Sequence, residues 1–216
     1  DSEEIFYRKA LETAEKLSSK KHIALSLNKI GNSYLFRADY SKAIELYLAS
    51  MGHYEELGDK TGISRCYNNI GLVYLYQKNY DRAVEYLEKS LKIAQELGNR
   101  ELIASKYNNF GYVYTEKEDI KTSQEYYRKA LEIYKETGNK KGISTCYINM
   151  GVNHKKQSNF ELALEYYLKA LEIKKELNEK KGLSIISINI AEVYIEMAKY
   201  DEAVVYAQQG LNIAKE

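Results

Sequence analysis

Proline is missing from all 216 residues, tryptophan is missing too, and phenylalanine occurs only 4 times. With no ring clash or absent N–H to break a helix, loop-rich and polyproline architectures are disfavoured and long uninterrupted helices are expected. A surplus of one charge is also missing. The 32 Lys and Arg stand against 31 Asp and Glu, a formal net charge of +1, too little to draw the chain onto nucleic acid phosphates or an anionic membrane. No apolar run approaches the roughly 20 residues that span a bilayer, and Asp1-Ser2-Glu3-Glu4 has neither the basic region nor the apolar stretch of a secretory signal. Neither nucleic acid binding nor membrane insertion is expected. Because the chain opens on Asp1 and not on Met, it is expected to be cut from something longer or to have lost its leader. Arg is confined to positions 8, 37, 65, 82, 100 and 128 while Lys, Asn and Ile abound, the usage of an AT-rich genome and a pointer to a bacterium.

What the chain does have is itself, several times over. Leu27-Asn28-Lys29-Ile30-Gly31 returns as Tyr67-Asn68-Asn69-Ile70-Gly71, Tyr107-Asn108-Asn109-Phe110-Gly111 and Tyr147-Ile148-Asn149-Met150-Gly151, each 40 residues after the last. A fifth copy, Ser187-Ile188-Asn189-Ile190-Ala191, keeps step with Ala for Gly. Behind these small residues follow Tyr34, Tyr74, Tyr114, His154 and Tyr194, then Tyr40, Tyr80, Ile120, Phe160 and Tyr200, then Ala43, Ala83, Ser123, Ala163 and Ala203. Each period reads as two amphipathic helices: Tyr80, Ala83, Val84, Leu87, Leu91 and Ala94 recur at three-and-four spacing. Gly58, Gly98 and Gly138, with Asn178, occupy the left-handed position after one helix. A second break falls at Asp39-Tyr40, Asn79-Tyr80, Asp119-Ile120, Asn159-Phe160 and Lys199-Tyr200. The count is about eleven helices of about 18 residues, each about 27 Å long. Mid-helix glycine costs about 1 kcal/mol against alanine, so Gly31, Gly71, Gly111 and Gly151 predict close approach of the paired helix.

These positions resemble the tetratricopeptide signature, with its aromatic, Leu-Gly, Tyr, Ala, aromatic and Ala at fixed offsets. The resemblance covers the whole chain and implies an all-α, right-handed superhelical solenoid of antiparallel helix pairs. One solenoid is expected over 1–216: residues 1–18 as the second helix of a partial repeat, then repeats at about 19–58, 59–98, 99–138, 139–178 and 179–216. The period exceeds the usual 34 residues, and the proline that normally ends the second helix is replaced by residues such as Gln95, Lys135 and Lys175. This is similar to the long-helix subclass of kinesin light chains, spindle-orientation adaptors, Rap-type peptide-sensing regulators and sensory segments of bacterial signalling proteins, all of which bind protein or peptide. Ile5, Phe6 and Leu11 at one end and the last helix at the other predict exposed apolar faces and end-to-end self-association.

Catalytic and metal chemistry find little to stand on. Cys66 and Cys146 occupy one repeat position two periods apart, too far for a disulfide by helix-packing distances, and are expected to be buried free thiols, which suit a reducing compartment. His22, His53 and His154 lie on different helices without ligands at metal-binding spacing. No phosphate-cradling loop, activated nucleophile or paired carboxylates can be picked out. A non-enzymatic chain without metal or cofactor is expected. The tyrosine ladder falls on packing positions of the repeat and has no basic groove beside it, which favours packing over base stacking.

The asparagines are the more informative ladder. Asn69, Asn109, Asn149 and Asn189 sit two residues before each small residue, with Asn28, Asn68 and Asn108 just ahead, although asparagine is a poor helix former. The resemblance implies that such amides face a concave groove and hold a bound peptide backbone. The alternative is that they link neighbouring helices, and the two are compatible. Carried over residue by residue, the groove comprises Asn28, Arg65, Asn68, Asn69, Leu72, Tyr76, Asn108, Asn109, Tyr112, Asn149, Lys156 and Asn189. The expected function is a non-catalytic module holding an extended peptide or partner segment. The rival is the ligand-sensing region of a larger bacterial histidine kinase, cyclase or transcriptional regulator.

Overall fold

A computed structural model describes residues 2–215, with the side chains of Ser2 and Glu3 left aside. Among the described residues there are eleven α-helices and no strand: α1 (Ser2–Lys16), α2 (Lys20–Phe36), α3 (Tyr40–Glu56), α4 (Lys60–Tyr76), α5 (Tyr80–Glu96), α6 (Arg100–Glu116), α7 (Ile120–Glu136), α8 (Lys140–Lys156), α9 (Phe160–Glu176), α10 (Lys180–Glu196) and α11 (Tyr200–Lys215). None of them is long and apolar enough to cross a membrane.

One device makes every break. A three-residue link separates consecutive helices, and its middle residue is left-handed each time, from Ser18 at φ 50° to Gly138 at φ 69°. In the link after α2, the N–H of Asp39 donates to the Tyr34 carbonyl and that of Ala38 to the Leu35 carbonyl, which closes the Schellman motif. The Asp39 carboxylate then accepts from the Lys42 N–H at 3.2 Å, capping α3. Asp59, Asn79, Asn99, Asp119 and Asn139 cap the following helices in the same way. Glycine is needed less strictly than its left-handed conformation suggests: Ala38, Lys78, Glu118, Ser158 and Ala198 also adopt positive φ, held there by the paired bonds of the motif.

The chain divides into two compact units, Asp1–Lys106 and Tyr107–Glu216, with the boundary inside α6. In the first, α2 packs on α3 and α4 on α5; in the second, α8 packs on α9 and α10 on α11. Small residues set the closeness of these pairs. A Cβ on Gly31 would stand 2.7 Å from Cε1 of Tyr47, and one on Gly111 2.5 Å from Cε1 of Tyr127. Tyr47, Tyr127 and Tyr167 are almost wholly buried, and burial pushes each phenol well above its ordinary value. Opposite Gly71 stands Leu87, whose smaller side chain leaves 3.2 Å.

The second aromatic ladder also packs against its partner helices. Tyr74 stacks on Tyr86 at 5.4 Å, Tyr114 on Tyr126 at 5.5 Å, His154 on Tyr166 at 5.3 Å and Tyr194 on Tyr206 at 5.6 Å.

Candidate functional site

In each pair the second helix covers one side of the first, and the first helix keeps a half-exposed stripe at i, i+4, i+7 and i+11. In the first unit the stripe carries Leu25, Lys29, Asn32 and Phe36 on α2 and Arg65, Asn69, Leu72 and Tyr76 on α4. In the second it carries Asn109, Tyr112 and Glu116 on α6, Thr145, Asn149, Val152 and Lys156 on α8, and Ile185, Asn189, Glu192 and Glu196 on α10. Phe36 and Tyr76 are 86% and 47% exposed, large rings left at the surface.

Of the residues singled out from sequence, Asn28 and Asn68 lie behind this face and are buried, whereas Asn69, Asn108, Asn109, Asn149 and Asn189 are half-buried. The amides connect adjacent first helices. Asn69 donates to Asn28 Oδ1 at 3.2 Å and to Asn32 Oδ1 at 3.4 Å, and Asn28 donates to Cys66 Sγ at 3.6 Å. In the second unit Asn149 donates to Asn108 Oδ1 at 3.0 Å, which also accepts from Cys146 Sγ at 3.8 Å. These bonds use one amide hydrogen of Asn149 and both of Asn69, so the ladder links the helix layer. An amide has four hydrogen-bonding sites, of which the bond to Asn108 uses one on the half-buried Asn149. Asn109 and Tyr112 lie on α6 and engage partners of their own.

Lys156 and Asn189 come together in an open groove of about 370 Å³, walled by Val152, Lys155 and Lys156 of α8 and by Asn189 and Glu192 of α10, with Tyr167 of α9 as its floor. Its charges are internally matched: Lys156 pairs with Glu116 at 3.2 Å and Lys155 with Glu192 at 2.5 Å. A larger, mostly apolar groove of about 550 Å³ lies in the first unit between α1 and α2, among Phe6, Ala10, Leu17 and Leu25.

The cysteines are free and buried. Burial raises both thiols, Cys146 to about 12, so neither is poised as a nucleophile. Burial lowers His154, whose ring stacks where the other repeats place tyrosine.

Two features went unread in the sequence. A buried polar knot joins Thr115, Ser123 and Asn153: Thr115 donates to Asn153 Oδ1 at 2.8 Å, Asn153 donates to Ser123 Oγ at 2.8 Å, and Ser123 donates to the Gly111 carbonyl at 2.8 Å. Every member finds a partner, so the knot holds α6, α7 and α8 together. The other feature is Lys106, 4% exposed and donating to Asn68 Oδ1 at 3.1 Å. Its signal was available: Ser26, Cys66, Lys106, Cys146 and Ile186 share one repeat position, and only one of them carries a cation.

A tetratricopeptide repeat family model matches residues 22–96, 102–176 and 147–216. A search of curated protein sequences yields no significant match. Solved structures are similar in fold. BtubC (BKLC) from P. vanneervenii superposes with a TM-score of 0.77 at 21% identity, covering 99% of this chain and 90% of that one. A Rap protein complexed with Competence and Sporulation Factor gives 0.76 at 16% identity, covering 97% of this chain and 68% of that one. The Rap conjugation gene regulator of the plasmid pLS20, in complex with the Phr* peptide, gives 0.76 at 21% identity, covering 92% of this chain and 56% of that one. With the family model extending over most of its length, the chain belongs to the tetratricopeptide repeat family.

Proposed function

We propose that the chain is a non-catalytic binding module that holds an extended peptide or partner segment along the stripes of its first helices. The observation that carries this reading is the composition of the half-exposed stripes, taken unit by unit: Asn69 with Leu72 and Tyr76 in the first, and Asn109, Asn149 and Asn189 with Tyr112 and Val152 in the second. Amides can pair with a strand-like backbone, while the apolar and aromatic neighbours seat alternate side chains. Two of the similar structures are described as peptide or factor complexes of Rap proteins, which supports the class of ligand without identifying it.

Asn189 offers the sharpest test. It lines the α8–α10 groove and its side chain is not one of those that tie the helix layer together, so Asn189→Ala separates binding from stability better than a change at Asn69. Peptides retained from a random display library are expected to bind Asn189→Ala about 2- to 13-fold more weakly, the worth of one neutral hydrogen bond. Leu72→Ala and Tyr76→Ala should weaken them as well, with the melting temperature close to that of the parent. Unchanged affinity in all three variants, or a library from which nothing is retained, would overturn the reading.

A further inference from the structure

Helix α1 repeats the sequence of α7, yet the same face stands open. Phe6-Tyr7-Arg8-Lys9-Ala10-Leu11-Glu12 differs from Tyr126-Tyr127-Arg128-Lys129-Ala130-Leu131-Glu132 only in its first ring. On α7 the C-terminal part of α6 covers these residues. Phe110 stacks on Tyr126 at 5.0 Å and Tyr114 on the same ring at 5.5 Å, Gly111 lies against the Tyr127 ring, and Lys129 reaches over Tyr107 at 5.8 Å. Tyr127 is buried as a result, whereas Phe6 is 65% exposed and Tyr7 only half-buried. Behind Phe6 and Tyr7 runs the apolar groove of about 550 Å³, with Ala10 and Ala14 of α1 on one side and Leu25 and Ser26 of α2 on the other. Forty residues later the equivalent space is filled. Ser50 and Cys66 are the repeat equivalents of Ala10 and Ser26; there Ala24 of α2 packs with Tyr54 and Cys66, its carbonyl accepts from the Ser50 hydroxyl at 2.7 Å, and Asn28 donates to Cys66.

We propose that the α1–α2 groove docks an amphipathic helix of a second polypeptide, one that carries Ala or Ser at one position, Gly seven residues later and Tyr three residues after that. The pattern is read from the helices that cover the equivalent faces of this chain. Ala24, Ser64, Ala104, Ser144 and Ser184 are all small and buried, and Gly31, Gly71, Gly111 and Gly151 follow at the seventh residue in the first four. Each element of the pattern has a physical task. The small residue lets the incoming backbone approach Ala10 closely, as Ala24 approaches Ser50. The glycine makes room for the Tyr7 ring, because a Cβ at the equivalent Gly111 would stand 2.5 Å from Tyr127. The tyrosine stacks on Phe6, as Tyr114 does on Tyr126. The docked helix removes Phe6, Leu17 and Leu25, all exposed apolar side chains, from water. Helix α1 is a second helix and carries no stripe of the peptide face, so this site lies apart from the one proposed for an extended peptide.

A synthetic peptide of residues 100–116 carries the pattern at Ala104, Gly111 and Tyr114 and serves as the probe. Its Gly111→Leu version is the control: leucine is the better helix former, so weaker binding would report the clash with Tyr7 and not a lost helix. The full 216-residue chain takes an environment-sensitive dye at Thr13→Cys, in the groove, or at Gln208→Cys, on α11. Cys66 and Cys146 are buried with raised thiols and stay unlabelled. The peptide should shift the emission of the Thr13→Cys dye saturably and leave the Gln208→Cys dye unmoved. Gly111→Leu in the peptide, or Phe6→Asp in the chain, should weaken binding about 10-fold or more, with the melting temperature of Phe6→Asp close to that of the parent. No saturable shift, equal binding of the two peptides, or the same response at both dye positions would overturn the docking. Copies that associate through α1 should be separated by the peptide; an assembly whose mass in sedimentation the peptide leaves unchanged assigns the groove to a second copy and overturns it as well.

Discussion

Replacing Lys106 by methionine keeps the length and volume of the side chain and removes its charge, at a position that already holds Cys66, Cys146 and Ile186 in other repeats. In the folded chain the ammonium is held at about 8, against an ordinary value of 10.5, by burial first and by Arg65 second. At pH 7 both folded and unfolded chains carry the proton, so the folded state bears the full cost of the buried charge, about 3 kcal/mol at 1.4 kcal/mol per pH unit. Losing the bond to Asn68 returns about 1 kcal/mol of that. Lys106→Met is therefore expected to be about 2 kcal/mol more stable than the parent at neutral pH. As pH rises through about 8 the folded parent sheds this proton while the unfolded chain keeps it up to about 10.5, so the unfolded state binds more protons and the parent gains stability across that window. The advantage of the variant should shrink by the same amount, about 3 kcal/mol, so that at the upper end the parent is the more stable by about 1 kcal/mol, the worth of its bond to Asn68. Buried tyrosines such as Tyr47, Tyr127 and Tyr167 act in the opposite sense above about pH 10, but equally in both proteins, and cancel in the difference. Urea midpoints of the two chains, measured side by side at intervals across the window, give the comparison directly. A parent more stable than Lys106→Met at pH 7, or a difference that stays constant as pH rises, would refute the reasoning.

Three further outcomes follow from the geometry. Gly111→Ala should cost about 1–3 kcal/mol by thermal denaturation because its methyl meets the buried Tyr127 ring at 2.5 Å, whereas a methyl at Gly71 stands 3.2 Å from both the Ala83 carbonyl oxygen and Leu87 and Gly71→Ala should cost less, helped by alanine's helix propensity; equal effects would contradict ring packing as the cause. At the links, Lys78→Gly should stabilise and Gly98→Ala destabilise by about 1 kcal/mol each, since both residues are left-handed and a Cβ at Gly98 touches nothing; opposite or null shifts would show that the link is not held at positive φ in solution. Finally, Phe6 on α1 and Val205 on α11 are 65% and 54% exposed, and we propose end-to-end association through these helices. Sedimentation should show concentration-dependent growth in mass that Phe6→Ser with Val205→Glu abolishes, the latter restoring the glutamate of Glu45, Glu85, Glu125 and Glu165; a monomer at every concentration would refute it.

The helices and their breaks were legible without coordinates because the forces that set them are local. Asp39, Asn79 and Asp119 announce a cap within three residues of where they act, and a 40-residue period repeats the message in each pair. Mid-helix Gly31, Gly111 and Gly151 likewise declare a close neighbour, though not that the neighbour is a tyrosine ring. The candidate site was legible only as a ladder of positions. Whether Asn28 faces solvent or lies behind the stripe depends on a rotation of the helix that only packing on α3 and α4 decides, and so does the pairing of Asn69 with Asn28 and of Asn149 with Asn108. The sequence shows a lysine in a column of small and apolar residues. That Lys106 is buried against a neutral amide, with a guanidinium and no carboxylate acting on it, is decided by neighbours some 40 residues away, because charge compensation is a property of distance in space and not along the chain.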